Sequence, residues 1–136
     1  MKIFFDTAPF IYLIENHPEF AIKVKTLISN AIINGDQLVT SVVTISEFGV
    51  KPTRDNRIDL IEKFDQLLSR LNVEILVIDQ SAAKKAYELR AKYKFLKGMD
   101  AFQVALSLNS KCNQFVTNDK KLKSITEIDI KTMDNI

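Results

Sequence analysis

The chain has few of the residues on which the commonest catalytic repertoires depend. One histidine, His17, and one cysteine, Cys112, occur in 136 residues. A lone cysteine forms no internal disulfide, and its polar surroundings, Asn109 to Gln114, suit a spectator thiol better than a nucleophile. His17 stands just before Pro18 at a helix junction, a boundary position, so Ser-His-Asp and Cys-His mechanisms have no candidate. Three glycines, none set in a Gly-rich phosphate loop, exclude that mode of nucleotide binding. No apolar run approaches the roughly 20 residues of a membrane span. Asp6 and Glu15 interrupt the N-terminal stretch, and no small-residue cleavage site follows it. A cytoplasmic protein is expected.

What is present is a globular composition, 46% hydrophobic and 26% charged, in a length that suits one domain over residues 1–136. The net charge of +2 conceals an asymmetry. Residues 1–80 carry 8 Lys/Arg against 11 Asp/Glu, whereas residues 81–136 carry 11 against 6. A basic second half favours a polyanionic partner, since Lys and Arg that neutralise phosphates release counterions. Scattered surface lysines give the same count.

The N-terminal dozen residues set the pattern. Lys2 to Phe5 is a short apolar run that ends on Asp6, and Pro9 then opens an apolar segment with helical spacing. This predicts a buried strand, an acid at its carboxyl tip and a helix. Further on, Pro18 opens a helix to about Ile33 that Gly35 ends, Gln37 to Ser41 reads as a strand, and Val42 to Val50 as a helix stopped by Lys51-Pro52. Ile58 to Leu71 is amphipathic, with Ile58, Ile61, Phe64, Leu67, Leu68 and Leu71 on one face. Val73 to Ile78 reads as the clearest central strand, and Asp79 or Ser81 caps a helix running to about Leu96. Asp100 to Asn109 is another helix, Gln114 to Thr117 a strand, Asp119 to Lys123 a helical turn, and Ile125 to Met133 contains an edge strand. Strands alternating with helices predict an α/β fold, a mainly parallel central sheet covered on both faces.

Four acids share a position: Asp6, Glu47, Asp100 and Asp119 each stand next to a strand end or in the first turns of a helix. In an open parallel sheet all four can reach the crevice beyond the carboxyl ends of the strands. Each also has an ordinary structural use as a cap, a helix-dipole partner or a solvated side chain. Together they create a charge problem, because two carboxylates about 5 Å apart at an effective dielectric near 20 repel by roughly 3 kcal/mol. Protonation or a cation relieves it. An all-oxygen site suits Mg²⁺ or Mn²⁺ rather than zinc. Water activated by such a metal, which also clamps the attacking and leaving oxygens of a phosphodiester, needs no protein nucleophile.

Asp6-Thr7 after the first strand, Ser41-x-x-Thr44-x-x-Glu47, Met99-Asp100-Ala101 and Thr117-Asn118-Asp119 resemble, in this order and over essentially the whole chain, the PIN-domain family, especially the VapC-like toxins of toxin–antitoxin pairs. The resemblance implies a PIN-like three-layer fold and a Mg²⁺- or Mn²⁺-dependent endoribonuclease that leaves a 5′-phosphate and a 3′-hydroxyl. It assigns Asp6, Glu47, Asp100 and Asp119 to the acidic constellation. Asp6 and Asp119 are the candidates for direct ligands, and Glu47 and Asp100 for ligands through water. Thr117 and Asn118 would hold the last acid or a metal-bound water, with Thr7 and Thr44 as supporting hydroxyls. Some relatives carry a further acid just past the last motif, where Lys120, Lys121 and Leu122 stand here, so a second metal site lacks that ligand. The two lysines either meet substrate phosphates or form a solvated turn.

Around the expected helix from Ala82 to Leu96, the residues Ala82, Ala86, Leu89, Tyr93 and Leu96 share an apolar face, and Arg90, Lys94 and Lys97 lie near the opposite one. They are candidates for an RNA track leading to Asp100, or for a solvated face. The resemblance also implies a homodimer and a small antitoxin whose C-terminal segment occupies a groove beside the acidic pocket, commonly placing an Arg there; Ile11, Tyr12 and Ile14 either line that groove or belong to the core. Two rival readings are a catalytically silent PIN-like RNA-binding or scaffold protein and a phosphoacceptor domain using Asp79, which lacks the paired acids expected after the first strand.

Overall fold

Residues 1–136 are described by a computed structural model. Alternation along the strands decides the layers. In β1 (Lys2–Phe5), Ile3 and Phe5 enter one core and Phe4 the other, because successive side chains leave opposite faces of a sheet. Leu38 and Val39 in β2 (Gln37–Ser41) divide in the same way, as do Val116 and Phe115 in β4 (Gln114–Thr117). With β3 (Glu74–Leu76) and β5 (Asp129–Thr132) these strands form one parallel sheet of order β3-β2-β1-β4-β5.

Helices cover both faces, as expected of a three-layer α/β fold. On one side lie α1 (Thr7–Ile14), α2 (Phe20–Asn34), α3 (Val42–Arg54) and α4 (Ile58–Arg70), which bury Phe10, Val24, Ile28, Phe48, Phe64 and Leu68 against the sheet. On the other lie α5 (Gln80–Lys92) and α6 (Gly98–Asn109), bringing Ala86, Leu89, Val104 and Ala105 to Phe4 and Phe115. The last two rings stack at 5.0 Å. No helix is long and apolar enough to cross a membrane.

Local signals set several boundaries. Gly35 ends α2 at φ 75°, in the left-handed region that a residue without Cβ enters freely. Asp79 caps α5 by accepting the Ala82 N–H at 2.8 Å. His17 is a boundary residue: its Nδ1 accepts the amides of Glu19 and Phe20 at 3.1 and 3.0 Å, ahead of α2.

Four expectations need correction. α3 does not stop before Pro52 but runs through it to Arg54; so close to the helix end the missing N–H removes a single bond, and the ring is buried. The run Val73 to Ile78 is not a central strand. Only Glu74–Leu76 pairs, with β2 alone, which leaves Ile75, Val77 and Ile78 exposed at the sheet edge. α5 ends at Lys92 rather than near Leu96, because Tyr93 turns to extended backbone, so Lys94 lies on the connection to α6. Ile58 falls off the buried face of α4.

Candidate active site

All five strands run the same way, so their carboxyl ends share one side of the molecule. The chain builds outward from β1 through β2 to β3, then crosses to the other side of β1 to make β4. A crevice opens where the order reverses, between β1 and β4. Asp6 leaves the end of β1 and donates its N–H to the Val116 carbonyl at 2.9 Å. Asp119 stands two residues past the end of β4, Asp100 in the first turn of α6, and Glu47 in the second turn of α3.

Asp6 is the most constrained of the four. Its Oδ1 accepts the Thr7 N–H at 2.8 Å and a longer bond, 3.3 Å, from Gln103 Nε2; its Oδ2 accepts the Thr117 hydroxyl at 2.8 Å. Thr117 Oγ1 in turn accepts the Asp119 N–H at 3.1 Å. Thr7 donates to Glu47 Oε1 at 2.6 Å, and its oxygen lies 3.3 Å from that of Thr44. Asp119 Oδ1 accepts the Lys121 N–H at 3.0 Å, capping the short 3-10 turn Lys120–Ser124. Asn118 turns its amide to the Tyr12 hydroxyl rather than to Asp119, so of the pair expected to hold the last acid only Thr117 contacts it.

Asp100 lies within electrostatic reach of the other three acids, and Asp6 within reach of Glu47. Burial, with a smaller contribution from Glu47, raises the Asp6 pKa against the bonds from Thr117, Thr7 and Gln103. Asp100 is pushed up to about 6, first by burial and then by Asp6, Asp119 and Glu47, with Lys97 opposing. None of the four carboxylates takes part in an ion pair. Carboxylates that repel one another and are tied up in no ion pair are a donor set for a hard divalent cation. No three of them close into a ready-made cage. An ion here would be held by one or two carboxylates and completed by waters, as suits Mg²⁺, which dehydrates reluctantly.

Lys97 stands near Asp100, and Arg90, Lys94 and Lys97 are exposed and free of ion pairs. Lys120 is tied to Asp134, and Lys121 is exposed. Burial pushes the Cys112 thiol up to about 11, which fits a spectator. The sequence reading missed Gln103, which is 1% exposed and bonded to residues of three elements. Its signal was a polar residue in the otherwise apolar run Ala101 to Leu106, one turn after Asp100 and on the same face.

A parallel α/β sheet with an acidic crevice at its topological switch point defines a class of protein whose chemistry lies on the carboxyl side of the strands. The chain belongs to the PIN domain family, whose model matches residues 3–128. No curated protein matches it in sequence. Its fold is that of several toxin–antitoxin structures. VapBC2 from Rickettsia felis, bound to a promoter DNA fragment, aligns over 97% of this chain and 98% of its own with TM-score 0.76 and 20% identity. A toxin–antitoxin complex from Klebsiella pneumoniae aligns over 98% and 99% with TM-score 0.76 and 24% identity. VapBC-1 from nontypeable Haemophilus influenzae aligns over 98% and 99% with TM-score 0.71 and 20% identity.

Proposed function

We propose that this protein is a Mg²⁺- or Mn²⁺-dependent endoribonuclease and the toxin of a type II toxin–antitoxin pair. The observation that carries the reading is the convergence of Asp6, Glu47, Asp100 and Asp119 in one crevice, none of them in an ion pair and only Lys97 opposing their mutual repulsion. Asp6 and Asp119, at the ends of adjacent strands, are placed to hold the ion, with Glu47 and Asp100 reaching it through water. A divalent ion there lowers the pKa of a water and offsets the charge that develops on a phosphodiester. Thr117 keeps Asp6 turned to the crevice as an acceptor, and Thr7 does the same for Glu47. Lys97, beside Asp100, would meet a phosphate of the incoming strand, with Lys94 on the α5–α6 connection and Arg90 in the last turn of α5 continuing the charge outward.

The antitoxin belongs to the same reading. A groove of about 570 Å³ lies between α1, α2 and α4; Leu13, Ile14, Ile28 and Leu67 line it, with Lys63 and Arg70 at its edge. It suits an amphipathic helix with acidic flanks. This groove holds none of the four acids, and of Ile11, Tyr12 and Ile14 only Ile14 lines it; all three also pack against the core. A homodimer in the cytoplasm completes the proposal. The exposed edge at Ile75, Val77 and Ile78 supports self-association, because an uncovered apolar strand edge is a pairing surface.

RNA cleavage by the purified protein, with and without Mg²⁺ or Mn²⁺, tests the reading. Metal-dependent cutting that is lost in Asp6→Asn and in Asp100→Asn is the expected outcome. A protein that binds RNA and cuts none under any metal is a silent binder, and cutting that survives both substitutions comes from a contaminant.

A further inference from the structure

Gln103 sits where the two ends of the acidic site meet, and counting its hydrogens shows how it connects them. The Ser41 hydroxyl oxygen accepts the Val43 N–H at 3.1 Å, so its own proton goes to Gln103 Oε1. That fixes the carboxamide with its NH₂ towards Thr44 and Asp6. One N–H goes to Thr44 Oγ1 at 2.8 Å and the other to Asp6 Oδ1 at 3.3 Å. Thr44, having accepted, has its proton free for Thr7 across 3.3 Å; the proton of Thr7 is committed to Glu47 Oε1 at 2.6 Å. A hydroxyl has one proton, so with that of Thr7 given to Glu47 over the shorter bond, the contact between the two threonines can only be donated by Thr44. The series runs from Ser41 through Gln103, Thr44 and Thr7 to Glu47, with a branch to Asp6. No buried polar side-chain atom in it lacks a partner.

We propose that Gln103 is the positioning residue of the acidic site: one buried carboxamide nitrogen holds Asp6 directly and Glu47 through two threonine hydroxyls, and so sets how the two carboxylates face each other. Three features support this. Gln103, Ser41 and Thr44 are buried, so the bonds are not exchanged with water. The series ends in a donor to a carboxylate on both branches, Gln103 to Asp6 and Thr7 to Glu47, the arrangement that keeps both acids as acceptors for a cation. The linked residues lie on α6, α3 and the β1–α1 junction, elements that nothing in the local sequence would keep in register. The inference deepens the nuclease reading and rests on it only for its effect on metal binding and turnover.

The test reads the side-chain carboxyl ¹³C resonances of metal-free, ¹³C-labelled protein in wild type, Gln103→Met, Thr44→Val and Thr44→Ser. In Gln103→Met the resonances of both Asp6 and Glu47 move, although Gln103 makes no hydrogen bond to Glu47; that of the distant Asp59 stays. In Thr44→Val, Glu47 moves, and Thr44→Ser, which keeps the hydroxyl, restores it. Mn²⁺ titration of the same proteins should show binding weakened about 10- to 100-fold in Gln103→Met, with kcat falling and the KM for RNA held. A Glu47 resonance unchanged by both Gln103→Met and Thr44→Val overturns the proposal, as does Mn²⁺ affinity within about twofold of a wild type that binds the ion. A wild type that neither binds Mn²⁺ nor cuts RNA overturns the nuclease reading alone, because the carboxyl resonances still decide for Gln103.

Discussion

The Thr117 hydroxyl gives its proton to Asp6 at 2.8 Å and accepts the backbone N–H of Asp119 at 3.1 Å, so the first and last acids of the site share one oxygen. Removing that oxygen should disturb both. Thr117→Val, close in shape, leaves Asp6 one donor short and should lower kcat/KM for RNA about 10- to 100-fold, the range found when groups that support a metal ligand are lost. Thr117→Ser should stay near wild type. Single-turnover cleavage at fixed Mn²⁺ compares them, and equal rates in the valine variant would remove Thr117 from the site.

Asp100 should lower the stability of the metal-free protein. Its folded pKa of about 6 lies above its ordinary 3.8, so between these values the folded state holds a proton that the unfolded state has released. Stability therefore falls as pH rises from about 4 to about 6, and the penalty is complete above that. After allowance for solvent screening at this partly exposed group, the penalty is about 1 kcal/mol. In EDTA, urea unfolding should find Asp100→Asn more stable than wild type at pH 7.5 and equal near pH 4. Added Mn²⁺ should favour the wild type, which needs the carboxylate to bind it.

The basic residues between α5 and α6 should set the salt dependence of RNA binding. In an Asp6→Asn background, chosen because the proposed nuclease should not cleave without that carboxylate, reversing Arg90, Lys94 and Lys97 to Glu should flatten the slope of log K against log salt by about 2, given roughly 0.7 per phosphate neutralised on a single strand. An unchanged slope would place the RNA elsewhere.

Asp79 should matter for folding alone. Its carboxylate accepts the Ala82 N–H at 2.8 Å and is not among the three acids, Asp6, Asp119 and Glu47, that act on Asp100. Asp79→Ala should cost about 1 kcal/mol in urea unfolding and leave RNA cleavage unchanged. Phosphate uptake at Asp79 from a small phosphodonor would contradict this and revive the phosphoacceptor reading.

Much of the architecture is legible in the sequence because it rests on local rules. The alternation in Lys2–Phe5 and Gln114–Thr117, the proline and glycine punctuation and the Asp79 cap each act within a few residues. The acids at strand ends are legible for the same reason, since an apolar run that stops on a carboxylate marks a strand's tip. Less legible is what depends on which elements become neighbours. Val73 to Ile78 has the composition of a central strand and sits at the edge, because strand order follows from how the crossovers pack and not from a strand's own apolarity. Pro52 stays helical because burial in the core holds α3 across it.

Residue types and spacing by themselves determined that this chain forms a parallel α/β sheet with acids at its carboxyl edge, because hydrophobic period and capping act over a few residues. Only the tertiary structure decided that Gln103, a polar residue inside an apolar helix, would meet Ser41, Thr44 and Asp6, since these come together from positions up to 97 residues apart. The physical reason is that a buried amide must find its partners among whatever groups the packed elements bring to it, and no local pattern encodes which groups those are.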